Sequence, residues 1–164
     1  MEKFDLSKYD YTRNLIFFGP KWVWKTYQAQ KLFDAFEGVK YKITDWMFKK
    51  HVESNNLWLR APIDWQTWIE FYPMEMMIRS KLLMFDDIWV SDWTEAYIKN
   101  MTFLLDERIE RKLPTIWTTN LPMKEIEKKL DERIASRLLL NTDIIVMSGE
   151  DKRKATSIMY EFSE

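Results

Sequence analysis

The chain has 164 residues, of which 46% are hydrophobic, and this is enough for one ordinary domain with a hydrophobic core. Its 25 basic and 26 acidic side chains leave a net charge of −1, which excludes an overall positive field for nucleic acid but leaves open a local basic patch. The chain has no cysteine, which excludes disulfides and thiolate metal sites. It has neither a signal-peptide pattern nor an apolar run of about 18 residues, so we expect a cytoplasmic protein that does not span a membrane.

The first predicted elements are a strand, a turn and a helix. Residues 15–18 form a continuous apolar run, which is typical of a strand buried on both faces of a sheet. Residues 25–36 have apolar side chains at helical spacing, and Gly38 lies where a helix commonly ends. Alternating polarity predicts a second strand over 39–43, and a second helix is expected over 44–53.

The rest of the chain continues to alternate between the two kinds of element. Four more runs predict strands, over 81–87, 113–120, 142–148 and 155–162. Four other segments predict helices: most of 62–80, a helix opened by Asp92 and Glu95 as a capping box, one from Pro122 and one over 131–140. Strands that alternate with helices predict an α/β fold with a largely parallel sheet flanked by helices.

The turn after the first strand has the outline of a phosphate-binding loop. It reads GPKWVWKT: Gly19, Pro20, Lys21, Trp22, Val23, Trp24, Lys25 and Thr26. The pattern G-x-x-x-x-G-K-[ST] is met at Gly19, Lys25 and Thr26 and is broken at Trp24. In a working loop, backbone N–H groups and the helix N-terminus hold the β-phosphate, while Lys25 binds phosphate oxygens and the Thr26 hydroxyl binds Mg²⁺. The sequence therefore predicts that these eight residues bind ATP.

A second motif is the apolar run over 81–87, which ends in two carboxylates. Asp86 is expected to hold Mg²⁺, directly or through water, and Asp87 to orient or deprotonate the attacking water. Taken alone, two aspartates after an apolar run are equally compatible with a turn or a helix cap. Together with the phosphate-loop pattern earlier in the chain, they favour a nucleotide site.

The stretch LLMFDDIWVSDWTEAYIKNMTFLLDERIERKLPTIWTTNLPMKEIEKKLDERIASRLL closely resembles the AAA+ core of DnaC-type bacterial helicase loaders. The helper ATPases of insertion sequences, the IstB-like proteins, share much of it. The resemblance extends over roughly residues 14–154 and implies a P-loop NTPase fold of the AAA+ kind, in three layers around a parallel sheet. It also implies ATP and Mg²⁺ as cofactors.

The resemblance implies roles for four further residues. Asn120, at the end of TTN, matches the sensor that contacts the γ-phosphate or the attacking water. Arg137, in ASRL, matches the arginine finger that reaches the nucleotide of a neighbouring subunit, and Arg133 lies nearby in support. Arg153 lies where the family has its second sensor arginine. A solvated charge on a helix face is the plain alternative for each arginine.

The resemblance also sets expectations for organisation and partners. It implies an ATPase of DNA replication that acts as a homo-oligomer, because its arginine finger works in trans, with a replicative helicase and single-stranded DNA as partners. Family loaders carry an N-terminal domain that grips the helicase, whereas here a short extension, 1–13, precedes the first strand. We therefore expect a single core domain over 1–164, without a separate helicase-binding domain or lid.

Tryptophan occupies three positions where the family has glycine: Trp22, Trp24 and Trp89. The chain has 9 tryptophans and only 3 glycines, against an average glycine usage of about 7%. Glycine at such positions allows positive φ and close approach to phosphate, so tryptophan is expected to add about 1–3 kcal/mol of strain per site and to impair ATP binding. Drift, engineering, or a UGA codon that means glycine in the source but was read as tryptophan are the three explanations, and the last is favoured.

Two other functions stay open at this point. One is a transposition helper ATPase, which shares the same motifs. The other is a protein-interaction scaffold that keeps the fold but does not hydrolyse ATP.

Overall fold

The fold, obtained as a computed structural model, is built on a five-stranded parallel sheet. The structure describes residues 5–21, 24–58, 61–64, 69–89, 93–122, 125, 128 and 130–147, without the side chains of 61–64 and 69–71. The strands of this sheet are β1 (Asn14–Phe18), β2 (Lys40–Thr44), β5 (Leu82–Ile88), β6 (Thr115–Thr119) and β7 (Thr142–Val146). They lie in the order β2-β5-β6-β1-β7, and every pair is parallel. The predicted α/β fold with a parallel sheet is therefore confirmed.

Helices cover both faces of this sheet. They are α1 (Lys25–Ala35), α2 (Asp45–Glu53), α3 (Pro73–Arg79), α4 (Glu95–Glu110) and α5 (Glu132–Leu138). Side chains alternate along each strand, so Leu15 and Phe17 pack with Phe33 of α1, while Ile16 and Phe18 belong to the core that α2, α3, α4 and α5 complete. The three-layer arrangement follows from this division of the core.

A two-stranded antiparallel hairpin corrects the prediction that 62–80 is mostly helical. It consists of β3 (Ala61–Asp64) and β4 (Ile69–Phe71), and among the described residues of 62–80 only the seven of α3 that follow are helical. Pro73 stands at the start of α3, and a proline disfavours helical geometry in the residue before it. Tyr72 accordingly has φ −105° and ψ 118°, so a helix from 62 could not continue through this point.

Two smaller differences concern helix ends. The N-cap of α4 is Thr94, whose Oγ1 accepts from the N–H of Tyr97 at 3.1 Å, while the predicted cap Asp92 lies outside the described residues. Gly38 lies beyond the end of α1, with φ 143°, and a Cβ there would lie 3.0 Å from Phe36 Cε1. Glycine is therefore needed by the connection rather than by the helix.

The predicted strand over 155–162 and most of the helix from Pro122 also lie outside the described residues.

Candidate functional site

The carboxyl ends of three neighbouring strands meet at one edge of the sheet. The loop from Gly19 follows β1, the two aspartates end β5, and Asn120 follows β6. Because β5 lies beside β6 and β6 beside β1, the two motifs and the predicted sensor residue come together. Ligands of open parallel sheets commonly bind at this edge.

Asp86 is the centre of this cluster. It lies on the same face of β5 as Met84, toward α1, and its Oδ1 accepts from the Thr26 hydroxyl at 2.9 Å and from the Thr118 hydroxyl at 2.6 Å. The Nζ of Lys42, on the neighbouring strand, lies 4.0 Å from Asp86 Oδ2. Asp86 is buried, so these partners keep its carboxylate in one orientation.

The donor set suits Mg²⁺. A carboxylate and a hydroxyl are hard oxygen ligands, and Mg²⁺ usually takes one or two protein ligands together with water and phosphate oxygens. Thr26 and Asp86 are already in contact and provide such a pair. Within the described ranges no group of three His, Cys, Asp or Glu side chains is placed to hold a metal ion.

Lys25 is buried at the start of α1, and its Nζ donates to the carbonyl oxygen of Pro20 at 2.5 Å. Burial lowers the pKa of the Lys25 ammonium, and the charges of Asp87 and Asp86 partly offset this effect. The ammonium is thus turned back onto its own loop. It would have to exchange the Pro20 carbonyl for a phosphate oxygen in order to bind one.

Asp87 lies where β5 departs from regular pairing. The register between β5 and β6 shifts between Phe85 and Ile88, and Asp87 has φ 59°, a conformation that Asp and Asn tolerate better than most residues. Its N–H donates to Thr118 Oγ1 at 2.8 Å, and its Oδ1 accepts from Asn120 Nδ2 at 2.8 Å. The bulge therefore brings the second carboxylate next to the predicted sensor.

Two of the tryptophans at glycine positions, Trp24 and Trp89, do not have positive φ. Trp24 has φ −66° and ψ 41° as the N-cap of α1, and Trp89 is also absent from the described residues with positive φ. The prediction of backbone strain is therefore wrong for these two residues, because neither has the positive φ on which it rested. Trp24 is 48% exposed and packs edge-on against Tyr27, while Lys21 Nζ lies 4.9 Å from the centre of the Trp89 ring. Trp22 and Val23 lie outside the described residues.

An apolar cavity of about 570 Å³ opens beside the loop. Residues from the ends of β1, β6 and β7 line it: Phe18, Gly19, Pro20, Asn120, Leu121, Pro122, Val146 and Met147. Its lining is mostly apolar and includes the polar residue Asn120. This is the composition of a pocket for a mainly apolar group.

The structure does not bring Arg137 to this cluster. Its Nε donates to Asp106 Oδ1 at 2.5 Å and one terminal nitrogen to the carbonyl oxygen of Arg133 at 2.7 Å. Arg137 also lines a cavity of about 250 Å³ together with Asn14 and Pro114, at the opposite edge of the sheet. Arg133 pairs with Glu95 at 2.9 Å, while Arg153 lies outside the described residues. Arg133 and Arg137 thus lie on the α4–α5 flank, and neither has a described contact with Asp86 or Asp87.

Sequence reasoning missed Thr118 and Lys42. Thr118 contacts both aspartates, and the signal for it was available, since it precedes Asn120 by two residues in a strand that is parallel to β5. Lys42 faces α1, where its Nζ also donates to Gln30 Oε1 at 2.6 Å. Nothing in the local sequence distinguishes Lys42 from other lysines, because its position depends on the β2–β5 register.

Comparison with solved structures gives the same fold at low sequence identity. The chain is similar to DnaI, with 16% identity, a TM-score of 0.64 and coverage of 90% of this chain and 78% of that one. It is similar to the DnaC helicase loader, with 16% identity, a TM-score of 0.62 and coverage of 87% and 84%. It is also similar to the replication initiator DnaA bound to AMPPCP and single-stranded DNA, with 14% identity, a TM-score of 0.64 and coverage of 88% and 43%.

These similarities confirm the predicted fold, which the chain shares with DnaI, the DnaC helicase loader and DnaA. No protein-family model and no curated protein sequence matches the chain. In the part of the chain that the structure describes, no helix has the length and apolar character needed to cross a bilayer.

Proposed function

We propose that the chain is an AAA+ protein of the ATP-binding and ATP-hydrolysing DNA-replication helicase-loader type, in which tryptophans at glycine positions of the phosphate loop impair ATP binding. The observation that carries this proposal is the contact of 2.9 Å between Thr26 Oγ1 and Asp86 Oδ1. It joins the phosphate loop to the acidic end of β5, and this pair of oxygen ligands is what a magnesium-nucleotide site requires. The similarity to a DnaA that binds AMPPCP supports the same ligand class.

Each residue of the cluster would have one task. Lys25 would bind the β- and γ-phosphate oxygens once it leaves Pro20, and Thr26 with Asp86 would hold Mg²⁺. When bound, Mg²⁺ neutralises phosphate charge and orients the transferring group. Asp87, held next to Asn120, would orient the attacking water and accept its proton.

The apolar cavity beside Gly19 and Pro20 would hold the base of the nucleotide. A nucleobase is flat and largely apolar, and the cavity adjoins the loop that would hold the phosphates. The ribose would then lie between the two, along the loop. This arrangement accounts for an apolar pocket and a polar cluster at one edge of the sheet.

Oligomerisation and partners complete the proposal. Arg137 lies on the α4–α5 flank, so it would act on the nucleotide of a neighbouring copy, and the active form would be a homo-oligomer. A replicative helicase and single-stranded DNA are the proposed partners, which fits the similarity to a helicase loader and to a DnaA bound to single-stranded DNA.

The test is equilibrium binding of a fluorescent ATP analogue with Mg²⁺ to two versions of the chain. One is the chain as it stands, and the other, called here the glycine version, carries Trp22→Gly, Trp24→Gly and Trp89→Gly. We expect binding by the glycine version, loss of that binding on Lys25→Ala, and weak or no binding by the chain as it stands. Binding by neither version would overturn the proposal.

A scaffold that does not hydrolyse ATP is the second candidate, because Trp24 stands in the loop and the Lys25 ammonium is bound to the Pro20 carbonyl. Absence of nucleotide binding in both versions would favour it. Within the ATPase class, a transposition helper is the nearest rival. Capture of a transposase rather than a replicative helicase by the glycine version with ATP would identify it.

A further inference from the structure

A buried carboxylate lies just behind the acidic end of β5. Asp45, the first residue of α2, is 3% exposed. Its Oδ1 accepts from the hydroxyl of Tyr97 at 2.5 Å, and its Oδ2 accepts from the backbone N–H of Trp89 at 3.3 Å. These contacts join the start of α2, the first turn of α4 and the residue that follows β5.

The tyrosine that completes this link is itself held in place. Tyr97 is 1% exposed, with Phe48 edge-on at 5.2 Å and Trp93 stacked at 4.8 Å between ring centres. Burial raises the pKa of the Tyr97 phenol, and Asp45 raises it further, so the hydroxyl keeps its proton and acts as a donor. Burial also raises the pKa of the Asp45 carboxyl, whereas its bonds from Tyr97 and Trp89 lower it.

The segment that Asp45 holds is the irregular one. The β5–β6 register shifts between Phe85 and Ile88, so regular pairing does not hold the backbone there. Side chains from β6 hold one side: Thr118 Oγ1 accepts from the N–H of Asp87 at 2.8 Å, and Thr119 Oγ1 donates to the carbonyl oxygen of Ile88 at 3.0 Å. The bond from Trp89 to Asp45 holds the same segment from the α2 side.

We propose that Asp45 and Tyr97 are positioning residues for Asp87. Together they fix the backbone at residue 89, two residues after Asp87, and so set the direction of the Asp87 carboxylate. This inference rests on the proposed ATPase function. Because the anchored group is the backbone N–H of residue 89, the link does not depend on whether that residue is tryptophan or glycine. It should therefore operate in both versions of the chain.

The effect expected is a loss of turnover without a loss of nucleotide affinity. Neither Asp45 nor Tyr97 touches Lys25 or Thr26 in any described contact, so the phosphate-binding residues stay in place. A shift of Asp87 by a fraction of an ångström is expected to lower kcat, by about tenfold for Tyr97→Phe and up to about a hundredfold for Asp45→Ala. The Kd of the nucleotide should change less than twofold, on the order of measurement error.

The experiment uses the full-length glycine version and measures kcat and KM for ATP, the Kd of the fluorescent analogue, and hydrogen exchange of the amide of residue 89. Tyr97→Phe is the main variant because it removes a single hydroxyl. Tyr9→Phe is the matched control, because Tyr9 is also a buried tyrosine. Its hydroxyl donates to the carbonyl oxygen of Arg13 at 2.8 Å, and it packs in the core on the other side of the sheet.

We expect Tyr97→Phe to lower kcat and to speed exchange at residue 89, with Kd unchanged, and Tyr9→Phe to leave all three unchanged. An unchanged kcat in Tyr97→Phe would overturn the positioning role while the ATPase proposal stands. A fall in both kcat and nucleotide affinity in Tyr97→Phe would also overturn the positioning role, since general unfolding gives that result. No hydrolysis by the unmodified glycine version would overturn the proposed function and the positioning role with it.

Discussion

The hydroxyl of Thr118 donates to the carboxylate of Asp86 at a distance of 2.6 Å. The same oxygen accepts from the backbone N–H of Asp87 at 2.8 Å, so one threonine holds both members of the acidic pair. Its side chain is 1% exposed, and the bonds it makes are therefore shielded from water. The geometry of the acidic pair depends on β6 as much as on β5.

Thr118→Val keeps the shape of the side chain but removes both hydrogen bonds. The N–H of Asp87 would be left without its partner, so we expect the free energy of unfolding to fall by about 1–3 kcal/mol. In the glycine version kcat should fall as well, because Asp87 loses its support. Urea denaturation and steady-state hydrolysis measure the two effects.

Thr102→Val is the matched control for this change. The Thr102 hydroxyl is buried in α4 and has no hydrogen-bond partner in the described part of the chain, so its removal should leave stability unchanged or slightly raised. If the two valine variants lost equal stability, the bonds of Thr118 would not be what supports the acidic pair.

The parallel sheet was predictable because each of its strands is a short run of apolar or alternating residues. Leu15 and Phe17 alternate with Ile16 and Phe18 between the two cores, and such a run is typical of a strand covered on both faces. The contacts of Thr26 with Asp86 and of Asp87 with Asn120 follow from the same architecture, since carboxyl ends of adjacent parallel strands share an edge. Their roles in catalysis stay predictions.

What could not be predicted depends on long-range register and on local backbone geometry. The Asp45–Tyr97 bond joins residues 52 positions apart, and no local pattern indicates it. No sequence pattern indicates the bulge at which Asp87 has φ 59° either. The prediction of strain at Trp24 was wrong because it assumed a positive φ at this position, whereas Trp24 has φ −66°.

Arg108 provides a prediction that is independent of nucleotide chemistry. It is 2% exposed, and its guanidinium donates to the carbonyl oxygens of Met77 at 2.6 Å, Ser80 at 2.9 Å and Pro114 at 2.7 Å, and to Thr115 Oγ1 at 2.9 Å. Burial lowers the pKa of Arg108 to about 9, which still leaves it charged at neutral pH. It therefore ties the C-terminal part of α4 to the end of α3 and the start of β6.

Arg108→Met keeps most of the aliphatic stem and leaves these carbonyl oxygens buried without donors. We expect the free energy of unfolding to fall by about 3 kcal/mol or more, measured by urea denaturation. Arg111→Met is the control, because Arg111 is an exposed residue that pairs only with Glu107 in its described ion pairs, and its removal should cost less than about 0.5 kcal/mol. Equal losses would show that the Arg108 network contributes little.

Trp24→Gly separates two ways of impairing ATP binding: strain in the loop backbone, and an indole that takes up space in the loop. Because Trp24 has φ −66°, no backbone strain is released when it is replaced, and the free energy of unfolding should change by less than about 1 kcal/mol. Affinity for the ATP analogue should nevertheless rise, since the half-exposed indole leaves the loop. A gain in stability of about 1–3 kcal/mol on replacement would instead restore the strain explanation.

Truncation of Arg137 tests the action of one subunit on another. In the glycine version, Arg137→Ala should abolish turnover and leave nucleotide binding intact, because the described contacts of Arg137 are with Asp106 and Arg133 and not with the nucleotide cluster of its own chain. A mixture of Arg137→Ala and Lys25→Ala chains should recover part of the activity, since each supplies what the other lacks across an interface.

Arg111→Ala serves as the control for loss of an exposed arginine that pairs with a carboxylate on its own chain, and it should leave turnover unchanged. If the mixture of Arg137→Ala and Lys25→Ala chains recovered no ATPase activity, Arg137 would act within its own chain and not on a neighbouring copy. Equal loss of turnover and of nucleotide binding in the Arg137→Ala variant would contradict the finger role altogether, because an arginine that acts only in the transition state lowers kcat and leaves ground-state binding unchanged.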